Sequence, residues 1–123
     1  MTDNQLSYQI RGAIFEVYNT LGPGLLESVY EEALCFELHQ RGLKVERQLE
    51  VPIRYKEASL STPLRLDVIV EDQIIIELKS VKELLDVHYK QLLTYLRLMN
   101  KSLGILVNFN TDDISSSIRR VIN

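Results

Sequence analysis

The sequence predicts an α/β fold, an α+β arrangement in which helices flank a mixed sheet, and three observations support this prediction. Apolar residues recur every three or four positions in three stretches, as on one side of an amphipathic helix. Between them lie runs rich in β-branched residues, which are typical of strands. The last such run follows the third helical stretch, and a strand, helix and strand in succession place their two strands parallel in a right-handed crossover.

The predicted order of elements is α-α-β-β-β-α-β-α, within one domain that covers residues 1–123. The first helix spans about residues 5–20 and ends at the glycines that flank Pro23. The second spans about residues 25–40 and stops at Gly42, because glycine commonly ends a helix. The apolar stripe that this helix is predicted to turn inward consists of Leu26, Val29, Ala33 and Phe36.

Two strand-like stretches follow, KVERQLEVPIRYK and LRLDVIV, and the turn-rich EASLSTP separates them. IIIELK is predicted to be the third strand. Apolar residues at helical spacing over about residues 85–99 predict the third helix, and the uniformly apolar GILVNF predicts a buried strand. A short helix over about residues 113–121 is predicted to close the domain.

An acidic residue on one predicted strand and Glu77-Leu78-Lys79 on the next form the most informative part of the chain. If these strands make a hairpin about Asp72, Asp67 faces Glu77, and Lys79 lies on the same face. A two-residue loop would instead move Asp67 to the opposite face from Glu77. We expect the first register, because it gathers the apolar residues on one face. Those residues are Leu66, Val68, Val70, Ile74, Ile76 and Leu78.

Two carboxylates that face each other on a sheet repel. At about 4 Å and an effective dielectric constant near 20, the repulsion approaches roughly 4 kcal/mol. A positive charge is therefore expected between Asp67 and Glu77. Lys79 can supply part of it, and a divalent cation with oxygen ligands, typically Mg²⁺, can supply more.

The composition is that of an ordinary globular protein, with 46% hydrophobic and 25% charged residues. A net charge of −3 argues against a protein that coats nucleic acid non-specifically, but it is compatible with a local basic surface. Lys79, Lys82, Lys90 and the pair Arg119-Arg120 are the residues that could form one. They are either a solvated face or a phosphate-binding surface.

The single cysteine, Cys35, lies in a helical pattern and is expected to be a small buried side chain rather than a nucleophile. No apolar run approaches the roughly 20 residues of a membrane span, and the polar start MTDNQLS does not resemble a signal peptide. These features predict a cytoplasmic protein with no membrane partner.

Two helical groups of polar residues could complete a site. On the third predicted helix, His88, Gln91 and Tyr95 share one side. On the second, Glu27 and Tyr30 lie three residues apart. Each group also has a simpler explanation, since the first can be an exposed polar face and a carboxylate in a first turn favours the helix dipole.

In chain order, Asp67, Glu77-Leu78-Lys79 and Gln91-x-x-x-Tyr95 resemble the motif of the PD-(D/E)XK nuclease superfamily. GLLESVY, residues 24–30, is similar to the signature of the GxxExxY family, a group of short bacterial and archaeal proteins in that superfamily. The resemblance covers nearly the whole chain, including HYKQLLTYL and GILVNF. It implies a restriction-endonuclease-like core and a nuclease that hydrolyses phosphodiester bonds of nucleic acid, with DNA expected before RNA.

The resemblance also implies roles for the matching residues. The implied cofactor is Mg²⁺, with Mn²⁺ as a substitute, and its ligands would be the carboxylates of Asp67, Glu77 and Glu27 and the backbone carbonyl of Leu78. Lys79 would position the attacking water or stabilise charge on the phosphoryl oxygens, and Gln91 would orient the site or the nucleic-acid backbone. The candidates for nucleic-acid binding or support are Tyr30, His88, Tyr95, Lys82 and Lys90.

Three hypotheses stay open at this point. The first is a metal-dependent nuclease, and the second is a catalytically inactive or partner-dependent nucleic-acid-binding module with the same fold. The third is a structural or interaction protein in which Asp67, Glu77 and Lys79 form an ion-pair network. Leu66 stands where the superfamily motif is named for proline, and a chain of 123 residues has no evident target-recognition element. A homodimer or a protein partner would be one way to supply target recognition.

Overall fold

The computed structural model describes residues 1–62 and 64–123. Its elements in chain order are α1 Asp3–Leu21, α2 Glu27–Gln40, β1 Val45–Val51, β2 Arg54–Tyr55, β3 Ala58–Ser59, β4 Leu64–Val70, β5 Ile74–Lys79, α3 Asp86–Met99, β6 Leu103–Asn108 and β7 Ile118–Ile122. Five strands form one mixed sheet in the order β1-β4-β5-β6-β7, in which β5 and β6 are parallel and the other neighbours antiparallel. The predicted fold class and the parallel crossover are confirmed.

Helices cover both faces of the sheet. α1 and α2 pack on one face, in an apolar core that includes Ile10, Leu34 and Ile76. α3 packs on the other face, in a second core that includes Leu92 and Ile75. Since β5 contributes to both cores, most of this central strand is shielded from water.

The β4–β5 hairpin has the predicted register. Val68 pairs with Ile76, and Val70 pairs with Ile74, across a three-residue loop at positions 71–73. The prediction of one apolar and one polar face is wrong, however. Ile75 lies on the face of Glu77 and packs into the α3 core, because a helix covers that face as well.

The predicted inward stripe of α2 is wrong for Leu26, Val29 and Phe36, whereas Ala33 does pack against the core of α1 and α2. Leu26 and Phe36 are 73% and 59% exposed, respectively. Two apolar stripes run along this helix, and the stripe with the larger set of bulky side chains packs against the sheet. The buried residues are Tyr30, Glu31, Leu34, Cys35 and Leu38. The expected burial of Cys35 is confirmed, and burial raises the pKa of its thiol to about 11, which keeps it protonated.

The predicted closing helix is also wrong. Residues Ile114–Ser117 form a single 3-10 turn, and Asp113 accepts a hydrogen bond from the backbone N–H of Ser115 at 3.2 Å. The chain then forms β7, which pairs antiparallel with β6. The physical reason is that β6 is buried throughout and would otherwise leave a bare edge, while isoleucine and valine favour a strand over a helix.

The stretch predicted as one long strand is divided in two. β1 joins the main sheet, whereas β2 pairs only with β3, which lies inside the predicted turn EASLSTP. Pro63, the last residue of that predicted turn, lies outside the described residues. Within the described ranges, no helix combines the length and apolar character needed to cross a membrane.

Candidate active site

The carboxylates of Asp67 and Glu77 lie where β4 and β5 begin to separate. The backbone N–H of Asp67 donates to Oε1 of Glu77 at 3.1 Å, and the N–H of Leu78 donates to Oδ2 of Asp67 at 3.0 Å. Each carboxylate therefore accepts a hydrogen bond from the backbone of the neighbouring strand. Glu77 is 3% exposed, whereas Asp67 is only half-buried. The two predicted metal ligands are thus adjacent, and Asp67 is the one nearer to solvent.

The pair carries an electrostatic conflict. Burial and the charge of Asp67 raise the pKa of Glu77, and the positive charge of Lys79 opposes this rise. Four ion pairs occur among residues 1–62 and 64–123, and none includes Lys79. The ion-pair network of the third hypothesis is therefore not formed. When both carboxylates are ionised, a bound cation would relieve the repulsion that remains.

A cavity of about 310 Å³ opens beside the pair. Asp67 and Leu78 line it from the sheet, and Glu27 lines it from the first turn of α2. In the part of the chain that the structure describes, no three side chains of His, Cys, Asp or Glu come close enough to hold a metal ion. A set of two adjacent carboxylates, one backbone carbonyl and several waters fits Mg²⁺, and Glu27 would then act through a water.

The start of α2 is tied to the end of β5. The Ser80 hydroxyl donates to the carbonyl of Leu25 at 2.6 Å, and the Ser80 N–H donates to Oε2 of Glu27 at 3.4 Å. Ser80 directly follows Lys79 in the chain. These contacts place Glu27 beside the strand end that carries Lys79, so the structure brings the two predicted residues to the same end of the sheet.

Tyr30 anchors the loop that precedes Glu27. Its hydroxyl donates to the carbonyl of Gly22 at 2.6 Å and accepts a hydrogen bond from the N–H of Leu25 at 3.1 Å. Its ring stacks on Phe109 with centroids 4.4 Å apart. Because Tyr30 is fully buried, its geometry fits the supporting role and leaves no surface for nucleic acid.

Gln91 and Tyr95 of α3 lie on the face of the sheet that carries Glu77. Nε2 of Gln91 donates to the Tyr95 hydroxyl at 3.2 Å. Burial and the charge of Glu77 raise the pKa of Tyr95, so this phenol lies within the electrostatic range of the carboxylate pair. Gln91 itself is exposed and can reach a ligand from the helix surface.

The three remaining candidates are less directly connected to the pair. Nδ1 of His88 accepts a hydrogen bond from the N–H of Leu85 at 3.0 Å, which caps the start of α3. Lys82 and Lys90 are exposed. His88 thus has a local structural role, and the two lysines are available to solvent.

A buried polar group beside the cavity was not recognised from the sequence. Glu31 is 8% exposed and accepts hydrogen bonds from Nη2 of Arg47 at 3.0 Å and Nε2 of Gln48 at 2.7 Å. Glu31 and Gln48 both line the cavity that Asp67 lines. The available signal was that Glu31 lies four residues after Glu27, on the same side of the helix.

Strand alternation breaks down at Asp67. Leu66 packs into the α3 core and Val68 into the core of α1 and α2, although regular alternation would place both on one face. The prediction that Leu66 shares a face with Val68 is therefore wrong. Gln48 lies opposite Asp67, between the neighbouring β1–β4 pairs, and has a left-handed φ of +49°. At this position of unusual backbone conformation, the side chains of both strands change the face of the sheet to which they point.

Asn108, at the end of β6, is a second polar residue that sequence reasoning missed. Its Oδ1 accepts from the N–H of Val81 at 3.0 Å, and its Nδ2 donates to the carbonyl of Val81 at 2.9 Å. The next residue, Phe109, donates its N–H to the carbonyl of Lys79 at 2.9 Å. The segment that carries Lys79 is therefore fixed from β6, and the signal was a lone polar residue in an apolar strand.

Together the fold and the site define a mixed α/β protein with two adjacent carboxylates and a nearby lysine at a sheet end, a donor set suited to a divalent cation. A family model for the PD-(D/E)XK nuclease superfamily matches residues 4–121, and the chain belongs to this superfamily. Its nucleases generally use divalent metal ions. No match was found among curated proteins or solved structures.

Proposed function

We propose that this protein is a Mg²⁺-dependent nuclease that hydrolyses phosphodiester bonds, with DNA as its main substrate. The observation that supports it best is the reciprocal hydrogen bonding of Asp67 and Glu77 at the separating strands. This arrangement holds two carboxylates together without an ion pair to Lys79 in the described part of the chain. A bound cation would let both carboxylates stay ionised in this buried position.

Each residue of the site has its own proposed role in the reaction. Asp67, Glu77 and the carbonyl of Leu78 would hold the ion, with Glu27 acting through a water. When bound, a divalent ion lowers the pKa of a coordinated water and polarises the scissile phosphate. The Lys79 ammonium would orient the attacking water or stabilise negative charge on the phosphoryl oxygens.

The roles of the surrounding residues are part of the same proposal. Gln91 would orient the nucleic-acid backbone, since its amide is exposed and is held by Tyr95. Gly24, Glu27 and Tyr30 would make the chain a member of the GxxExxY family, and the contacts of Tyr30 with the loop before Glu27 support this. The proposal includes one domain over residues 1–123, a cytoplasmic location, and target choice by a homodimer or a protein partner.

The test is cleavage of supercoiled plasmid, linear duplex DNA, single-stranded DNA and RNA with Mg²⁺, Mn²⁺ or EDTA. Glu77→Ala and Lys79→Ala should abolish metal-dependent cutting. Glu57→Ala and Lys56→Ala, the same changes at exposed positions between β2 and β3, should leave it unchanged. Absence of cutting by folded wild-type protein on all four substrates would favour the partner-dependent nucleic-acid-binding module instead.

A further inference from the structure

A second cavity, of about 560 Å³, is lined in part by the segment that follows β5. Its lining includes residues 82–84 and Tyr89, together with Asn108 and several side chains between Asn110 and Arg119. Most of the lining side chains are polar. The cavity is therefore suited to a hydrated, hydrogen-bonding ligand rather than an apolar one.

Two cations face this cavity. Lys82 and Arg119 both line it, and neither takes part in any of the four ion pairs of the described residues. Glu83 and Asp112 line it as well. With two charges of each sign, the cavity would not attract a polyanion along its whole length, but the two unpaired cations together can accept one phosphate group.

The cavity is joined to the candidate active site through the backbone. Asn108 lines it and at the same time holds both backbone groups of Val81. Lys82 lies three residues after Lys79, so their Cα atoms are at most about 10 Å apart. One strand of B-form DNA rises about 3.4 Å per nucleotide, so this distance corresponds to a few nucleotides.

We propose that Lys82 and Arg119 bind one backbone phosphate a few nucleotides from the scissile bond. This inference rests on the proposed nuclease function and adds a second contact point for the substrate strand. The ligand chemistry is a phosphodiester, which DNA and RNA share. Holding a neighbouring phosphate would fix the register of the strand over Asp67 and Glu77, because phosphate contacts position a nucleic acid without reading its sequence.

The first test is binding in EDTA, which prevents metal-dependent cutting. Fluorescence anisotropy would measure the affinity of labelled single-stranded DNA, duplex DNA and RNA for wild-type protein and for Lys82→Ser/Arg119→Ser. The control is Arg54→Ser/Lys56→Ser, which also removes two exposed positive charges. Arg54 lies on β2 and Lys56 directly follows that strand, and neither lines this cavity or the one beside Asp67.

Loss of this one phosphate contact should lower the slope of log K against log salt by about 0.9, which corresponds to roughly eightfold weaker binding at 0.1 M salt. The Lys82/Arg119 variant should therefore bind about eightfold more weakly, and the control variant should bind like wild type. Comparison of the DNA and RNA arms tells which nucleic acid the subsite accepts. Equal affinity of the two double variants would overturn the inference.

The second test locates the phosphate. Substrates with a single neutral methylphosphonate, moved one position at a time, should show slow cleavage when the change falls a few nucleotides from the cut. The Lys82/Arg119 variant should lose that sensitivity and the control variant should keep it. Sensitivity that persists in the Lys82/Arg119 variant would refute the subsite alone, whereas a wild-type protein that neither binds nor cuts would refute the proposed function itself.

Discussion

The two ends of the β4–β5 hairpin differ in the residues that they contain, apolar at one end and charged at the other. At the turn end, Ile69 pairs with Ile75, and both side chains are fully buried. At the open end, Asp67 and Glu77 occupy the strands, and their carboxylates accept hydrogen bonds from the opposite backbone. Regular pairing thus continues from the turn and stops where the charged residues begin.

This difference separates stability from chemistry. Full burial of an isoleucine side chain contributes about 1.5–3 kcal/mol, whereas a buried carboxyl beside a second carboxylate costs stability, because it must be protonated or balanced by a cation. Substitutions at the turn end should therefore lower the free energy of unfolding and leave the chemistry of folded molecules unchanged. Substitutions at the open end should impair the chemistry without lowering the free energy of unfolding.

The largest effect is expected from Asp67→Asn. The amide keeps the shape of the side chain but removes a metal-ligating charge, so kcat for metal-dependent cleavage should fall at least about 100-fold. Asp72→Asn makes the same change in the exposed loop at the turn end and should leave kcat unchanged. Single-turnover cleavage assays measure both variants. Activity of Asp67→Asn close to wild type would show that the open end is not the reaction centre.

Ile75→Ala should have the largest effect on stability. It removes a fully buried side chain from the α3 core and should lower the free energy of unfolding by about 2–5 kcal/mol. Urea denaturation measures this loss, and Ile122→Ala, at a position that is 72% exposed, is the control. Cleavage per folded molecule should stay at the wild-type value. A fall in that value comparable to that of Asp67→Asn would break the separation of the two ends.

Glu77→Gln should stabilise the metal-free protein by about 1–2 kcal/mol at neutral pH, because a carboxyl at this position must be held protonated or buried as a charge next to Asp67, whereas the amide is neutral and keeps the oxygen that accepts the Asp67 N–H. The folded-state pKa of Glu77 is raised, so its contribution to stability is present below the ordinary carboxyl pKa and is lost as pH rises through the folded-state value. The stability of Glu77→Gln should therefore fall less steeply as pH rises.

Thermal melts from pH 5 to pH 9 in EDTA check this expectation, with the exposed Glu57→Gln as the control. Adding Mg²⁺ should raise the melting temperature of wild type more than that of Glu77→Gln, since binding to the folded state stabilises it. A wild-type melt that no divalent ion shifts would remove the support for a metal at this pair.

The hairpin and its charged pair could be predicted because their signals are local. The length of the loop sets the register, so the pairing of Val68 with Ile76 was predicted correctly, and Asp67 and Glu77 lie just beyond these last paired residues. The buried strand β6 was recognisable from an apolar run for the same reason. Neither prediction required knowledge of distant parts of the chain.

The remaining features depend on contacts between segments that are far apart in sequence. α2 carries two apolar stripes, and only packing against the sheet selects the one with Leu34 over the one with Phe36. The closing strand β7 forms because β6 offers an edge. The spacing of Glu31 from Glu27 indicates a shared side of α2, but its hydrogen bond to Gln48 was not predictable because Gln48 lies on another element.

Substitutions of Gln48 should have the smallest effect on the free energy of unfolding. They test whether the backbone at the open end is strained. A left-handed φ costs a non-glycine residue about 1–2 kcal/mol, and glycine avoids that cost. Gln48→Ala and Gln48→Gly both remove the hydrogen bond to Glu31. The glycine variant should therefore unfold at a free energy about 1 kcal/mol higher than the alanine variant in urea titrations. Equal stabilities would mean that the side chains of the strands change face at Asp67 without backbone strain at Gln48. The charged pair alone would then distinguish the two ends of the hairpin.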